Sequence, residues 1–158
     1  MSAAQLPGCA VIGVSKKSDD AAQLIRTLLI DAGGEVRHFS VVGESARHVK
    51  GELAIVAEKR SCRAIIFTGG SDLGPRGSTF DALQGMLEQR IEGFGELFRH
   101  IIYERFGSKA TLVRAVAGVY RGRIVISIPA SASYAQLGME QLILTELPNM
   151  VAQITPRI

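Results

Sequence analysis

The chain has no tryptophan, and aromatic residues make up only 6% of it, with the three tyrosines in separate segments. A nucleic-acid surface usually joins a basic stripe to stacking aromatics. Here the net charge is only +3 and the Lys and Arg residues are scattered, so a small anionic ligand suits the charge better than nucleic acid. Cysteine is scarce too. Cys9 and Cys62 form no CxxC pair, and the three histidines (His38, His48 and His100) lie far apart in sequence. That pattern argues against a zinc site and leaves both thiols as small buried hydrophobes of a reduced protein. No apolar run is long enough to span a bilayer. The first eight residues lack the basic start and apolar stretch of a signal peptide. The expectation is a cytoplasmic protein with neither nucleic acid nor membrane as a partner.

Linkers, repeats and low-complexity tracts are also missing, so residues 1–158 read as a single domain, long enough for a hydrophobic core. What is present is alternation. Residues 9–14 (CAVIGV) form an apolar run of strand length, suited to a sheet covered on both faces. Asp19 and Asp20 then precede a helical pattern of Ala21, Leu24, Ile25, Leu28, Leu29 and Ala32, stopped at Gly33-Gly34. Residues 35–42 read as a second strand, Ser45 as the cap of a helix burying Val49, Leu53, Val56 and Ala57, and residues 63–67 as a third strand. A helix is predicted over 79–90, a break at Gly93-Phe94-Gly95, and another helix to about Phe106, ended by Gly107. Arg121-Gly122-Arg123 reads as a solvated turn before a late strand at 123–128. Ser131 or Ser133 starts a last helix that Pro148 terminates. Such strand–helix alternation predicts an α/β fold, a three-layer α/β/α sandwich around a mostly parallel sheet.

In an open parallel sheet, ligands bind beyond the carboxyl ends of the strands. The richest such end here is Thr68-Gly69-Gly70-Ser71-Asp72-Leu73-Gly74-Pro75-Arg76-Gly77-Ser78-Thr79. Small and hydroxyl residues directly after a buried strand expose backbone N–H groups to a phosphate or carboxylate. Thr79 is read as the cap of the following helix, and Arg76 as a fork of donors. A plain glycine-rich turn accounts for the composition equally well. The loop is neither a Walker A sequence nor a GxGxxG fingerprint.

The residues Phe67-Thr68-Gly69-Gly70, followed by Arg76, Thr79 and Ala82, resemble the TGGTG and RD-x-TP-x-A signature of the MoaB/MogA molybdenum-cofactor family. Residues 91–99 (IEGFGELFR) resemble its IPGFGE segment, and residues 114–119 (RAVAGV) its SRA-x-AG stretch. Residues 128–131 and 146–150 resemble its LPGSP and ELPHL ending. The resemblance is collinear over nearly the whole chain. It implies a trimeric molybdopterin-binding domain in molybdenum-cofactor biosynthesis. MogA-type members are molybdopterin adenylyltransferases, which use Mg-ATP. The implied ligand-binding residues are Ser15, Thr68, Gly69, Gly70, Ser71, Arg76, Thr79 and Ser131.

The acidic residues depart from the family. Gly77 stands where the RD pair has its Asp, and Glu44 stands at the first acid of the family's VPDD segment. Asp72 replaces the last glycine of TGGTG, Ala130 the glycine of PGS, and Asp20-Ala21-Ala22 the D-x-SG turn. Two readings follow. In one, Glu44, Asp72 and Asp81 take over catalysis, with Glu44 and Asp72 as metal ligands. In the other, the chain binds molybdopterin or a nucleotide without turnover, as a trimeric binding or scaffold protein. Losing a metal-holding carboxylate costs several kcal/mol of transition-state stabilisation, which weighs towards the second.

Overall fold

The computed structural model describes residues 5–15 and 19–156, apart from the side chain of Arg76. Along the chain lie β1 (Gly8–Val14), α1 (Asp20–Asp31), β2 (Glu35–Val42), α2 (Ala46–Ala57) and β3 (Ala64–Thr68). A short 3-10 turn (Pro75–Gly77) then leads into α3 (Ser78–Met86), β4 (Gln89–Arg90) and α4 (Glu92–Phe106). β5 (Val116–Tyr120), β6 (Arg123–Ile128), α5 (Ala132–Gly138), a π turn (Met139–Ile143) and α6 (Leu144–Ile154) complete the order. The strands form one sheet in the order β2-β1-β3-β6-β5-β4. The first four of these are parallel, and β5 and β4 are antiparallel additions at one edge.

The apolar runs of β1, β3 and β6 are continuous because both faces of the sheet are covered. On one face Val11, Ile66 and Ile126 pack with α1, α4, α5 and α6. On the other, Ile12, Ile65 and Val125 meet α2 and α3. This is the three-layer α/β/α arrangement. Phe94 and Phe98 stack at 6.0 Å between centroids within the first layer, and both are buried. Each such burial stabilises the fold by about 1.5–3 kcal/mol. Cys9 and Cys62 are fully buried, and burial, with Cys62 close by, pushes the Cys9 thiol up to about 12. That thiol is a core atom, not a nucleophile.

Four expectations about the helices need correction. The segment predicted as a helix over 79–90 is split, because the chain turns extended at Leu87 and Gln89–Arg90 pair with Val119 and Gly118 of β5. Tertiary pairing overrides the helix propensity of these polar residues. The glycines at 93 and 95 do not break the chain: both lie inside α4, where a side chain at residue 95 would meet the Ala115 carbonyl at 2.7 Å. Pro148 does not end the last helix but sits inside α6. Its missing N–H falls opposite the Leu144 carbonyl in the first turn of α6, and a π turn ends directly upstream. Finally, Thr79 does not cap α3. It lies in the first turn of that helix, and Gly77 holds the cap position. The caps read at Ser45 and at Ser131 are present, their hydroxyls accepting from the His48 and Tyr134 N–H groups.

Candidate functional site

β1 connects through α1 to β2 on one side of it, whereas β3 lies on its other side. The order of the sheet therefore reverses between β1 and β3, and their carboxyl ends open a crevice there. α1 belongs to one helical layer and α2 to the other, which leaves the gap between them uncovered by either. The glycine-rich loop leaves β3 at this point.

The loop is anchored on three sides. The Gly69 N–H donates to the Ile128 carbonyl at the end of β6 (3.0 Å), and a side chain on Gly69 would meet the Val14 carbonyl of β1 at 2.4 Å. The carbonyl of Gly70 accepts from the Phe80 N–H at 3.0 Å and from the Thr79 hydroxyl at 2.8 Å. Both glycines have positive φ, 91° and 65°, which side chains rarely adopt, so the tight turn at the strand end requires them. Among the described residues, the N–H groups of Gly70 and Ser71 meet no backbone carbonyl. The Gly70 carbonyl is turned to the first turn of α3, so the Ser71 N–H of the same trans peptide points away from it. Such a cradle suits a phosphate.

Below the loop stands a residue that the sequence reading passed over. Asp19 is 95% buried, from a relative exposure of 5%, and caps α1 by accepting the Ala22 N–H at 3.0 Å. Its second oxygen accepts from the hydroxyl of Thr68 at 2.5 Å, which ties the end of β3 to the start of α1 across the crevice. Gly13 leaves the room: a side chain there would meet the Asp19 carboxylate at 2.8 Å. Asp20, set against the family's D-x-SG acid in the sequence reading, is exposed instead. The available signal was position, since Asp19 directly precedes the apolar periodicity of a helix that follows a strand.

The other predicted site residues distribute unevenly. Ser15 follows β1 and donates its N–H to the Val42 carbonyl at 2.9 Å; Thr68 and Ser71 are buried in the crevice wall. Ser131 lies three residues beyond Ile128, whose carbonyl holds the Gly69 N–H, and its hydroxyl is engaged as the cap of α5. The side chain of Arg76 lies outside the described atoms. Glu44 and Asp72 are exposed, and Asp81 forms an ion pair with Arg114. Among the described residues, no three His, Cys, Asp or Glu side chains converge as a metal-holding group. Magnesium beside a phosphate needs only one or two carboxylates, and of the three acids named, Asp81 is engaged by Arg114 while Glu44 and Asp72 are exposed. Residue 77 has no room for another acid without a shift of the loop, because a Cβ there would lie 1.7 Å from the Asp72 carbonyl oxygen. A larger cavity of about 670 Å³ lies elsewhere, between α4 and α6 and lined by Arg90, Phe94, Leu97, Val119, Ile124 and Met150. It opens near the amino-terminal end of β6 and has none of the loop's N–H donors.

A glycine-rich loop at the switch point of a three-layer α/β/α sheet defines the class of a doubly wound α/β protein. Residues 11–149 match the family described as "probable molybdopterin binding domain". Molybdenum cofactor biosynthesis protein B of Staphylococcus carnosus is 34% identical over 155 residues, covering 93% of this chain and 90% of that protein. The protein of the same name from Bacillus cereus is 31% identical over 151 residues, covering 92% and 89%. A crystal structure of molybdenum cofactor biosynthesis protein B superposes with a TM-score of 0.92 at 30% identity, covering 97% of this chain and 98% of that one. The chain belongs to the MoaB/MogA family of molybdenum cofactor biosynthesis proteins.

Proposed function

We propose that this chain acts as a single molybdopterin-binding domain that takes the terminal phosphate of molybdopterin into the loop at residues 68–71 and does not adenylylate it. The observation that supports the reading is the cradle itself: two N–H groups that, among the described residues, meet no backbone carbonyl, directly beyond the buried Thr68 at the end of β3. Thr79 sets the cradle's shape by holding the Gly70 carbonyl. Arg76 adds a guanidinium to the phosphate, since a fork of donors matches that geometry. Adenylyl transfer needs carboxylates around a metal, and of the three acids considered, Asp81 is held by a guanidinium while Glu44 and Asp72 face solvent. In this reading the protein works in the cytoplasm as a homotrimer, and its task is to hold the pterin rather than to convert it.

Calorimetry with molybdopterin, followed by addition of Mg-ATP and an assay for pyrophosphate, tests this directly. The expected result is saturable molybdopterin binding with no pyrophosphate released. Absence of saturable binding would remove the reading. Pyrophosphate release abolished by Asp72→Asn would instead favour the relocated carboxylate, with Glu44, Asp72 and Asp81 as the catalytic group.

A further inference from the structure

We infer that Arg114 is the positioning residue of the cradle, a latch that keeps the loop folded over the strand ends; the inference rests on the molybdopterin-binding reading for its ligand, a phosphate monoester. Arg114 lies in the segment between α4 and β5, 33 residues from Asp81 and 42 from Asp72. Its side chain is only 21% exposed, although the carboxylate it meets is 64% exposed. One guanidinium nitrogen donates to Asp81 in the first turn of α3, and another points at the Asp72 carbonyl at 3.5 Å. The guanidinium plane lies over the Phe80 ring, 4.3 Å from its centroid. Asp72 in the loop and Phe80 and Asp81 in α3 are therefore held by one side chain.

The consequences run straight to the cradle. Phe80, whose ring Arg114 covers, also supplies the N–H that holds the Gly70 carbonyl, and its neighbour Thr79 supplies the second donor to that oxygen. Fixing the first turn of α3 therefore fixes the peptide between Gly70 and Ser71, whose N–H faces the ligand. Gly77 completes the latch, since a Cβ there would stand 3.0 Å from the Arg114 nitrogen that reaches Asp72. An exposed Arg–Asp pair alone contributes little. A guanidinium that simultaneously stacks on a ring, pairs with a carboxylate and meets a carbonyl is far more constrained, and lysine cannot reproduce its planar fork.

The test compares Arg114→Gln, Arg114→Lys and Asp81→Asn with the native chain, by amide hydrogen exchange and by molybdopterin affinity. In Arg114→Gln, exchange at Gly69 and Phe80, whose N–H groups are held by the Ile128 and Gly70 carbonyls, is expected to rise about tenfold or more while that at Ile66 in the core is unchanged, the signature of local opening. Molybdopterin affinity falls about tenfold in the same variant, with Arg114→Lys intermediate in both measurements. Asp81→Asn removes the charge but keeps the stack, and shows a smaller rise in loop exchange. If Arg114→Gln does not fold, the other two variants carry the comparison. Loop exchange equal to native in these variants overturns the latch, whatever the affinity does. Faster loop exchange together with no molybdopterin binding by the native chain keeps the latch and removes the ligand.

Discussion

Replacing Asp19 by alanine is expected to lower the free energy of unfolding by about 2–4 kcal/mol, combining a lost helix cap with a lost buried acceptor. The cap alone accounts for about 1 kcal/mol of this, as for other Asp and Ser caps. The remainder comes from Thr68, which is fully buried and whose hydroxyl loses the acceptor it meets at 2.5 Å. A buried hydroxyl left without a partner costs about 1–3 kcal/mol. Asp19→Asn keeps one acceptor oxygen for the Ala22 N–H and places an amide donor where the Thr68 hydroxyl can turn to accept from it, so it is expected to lose less than half as much. Urea denaturation of the three proteins measures the difference. Equal midpoints for Asp19→Ala and the native chain would show that the crevice is not held across β1 and β3 in the way described. The effect belongs to the site as well as to the fold, because Asp19 and Thr68 form the floor on which the cradle rests.

Restoring a carboxylate at residue 77, where the family's RD pair has its Asp, is expected to damage this protein rather than to revive chemistry. The obstacle is backbone, not side chain: the added Cβ would lie 1.7 Å from the Asp72 carbonyl oxygen, and the Arg114 guanidinium is the next neighbour. Relieving that contact requires the loop to move away from α3, at a cost of about 1–3 kcal/mol, typical of overpacked sites. Gly77→Ala and Gly77→Asp should therefore lose stability and molybdopterin affinity together, since the Cβ is common to both. Neither should release pyrophosphate from Mg-ATP. A Gly77→Asp protein as stable as the native chain, and active, would mean that the loop rearranges without cost and that the metal site is latent.

The contrast between these two residues says what a sequence can carry. Asp19 acts on its own neighbourhood, and its place just ahead of a helical periodicity was visible, though its link to Thr68, 49 residues away, was not. The apolar runs at 9–14 and 123–128, buried on both faces, declare their strands by composition alone. The edge pairing was harder. β4 is two residues long and polar, and only its pairing with β5 makes it a strand. Pro148 misled because a proline normally ends a helix, whereas here it is the fifth residue of α6. For the site, the glycine loop was legible because hydroxyl and glycine residues cluster after a strand. Arg114 was not, as its role arises from contacts with Asp72, Phe80 and Asp81, far away in the chain.

The polar cradle at the switch point and the apolar groove between α4 and α6 are alternative places for a pterin. Titration of isotope-labelled protein with molybdopterin, followed through the backbone amide resonances, separates them in one measurement. The largest shifts should fall on Gly70 and Ser71, with smaller ones at Ser15 and Thr68. Shifts gathered instead on Arg90, Leu97 and Met150, with the glycine loop silent, would contradict the phosphate cradle and move the ligand to the opposite end of the sheet.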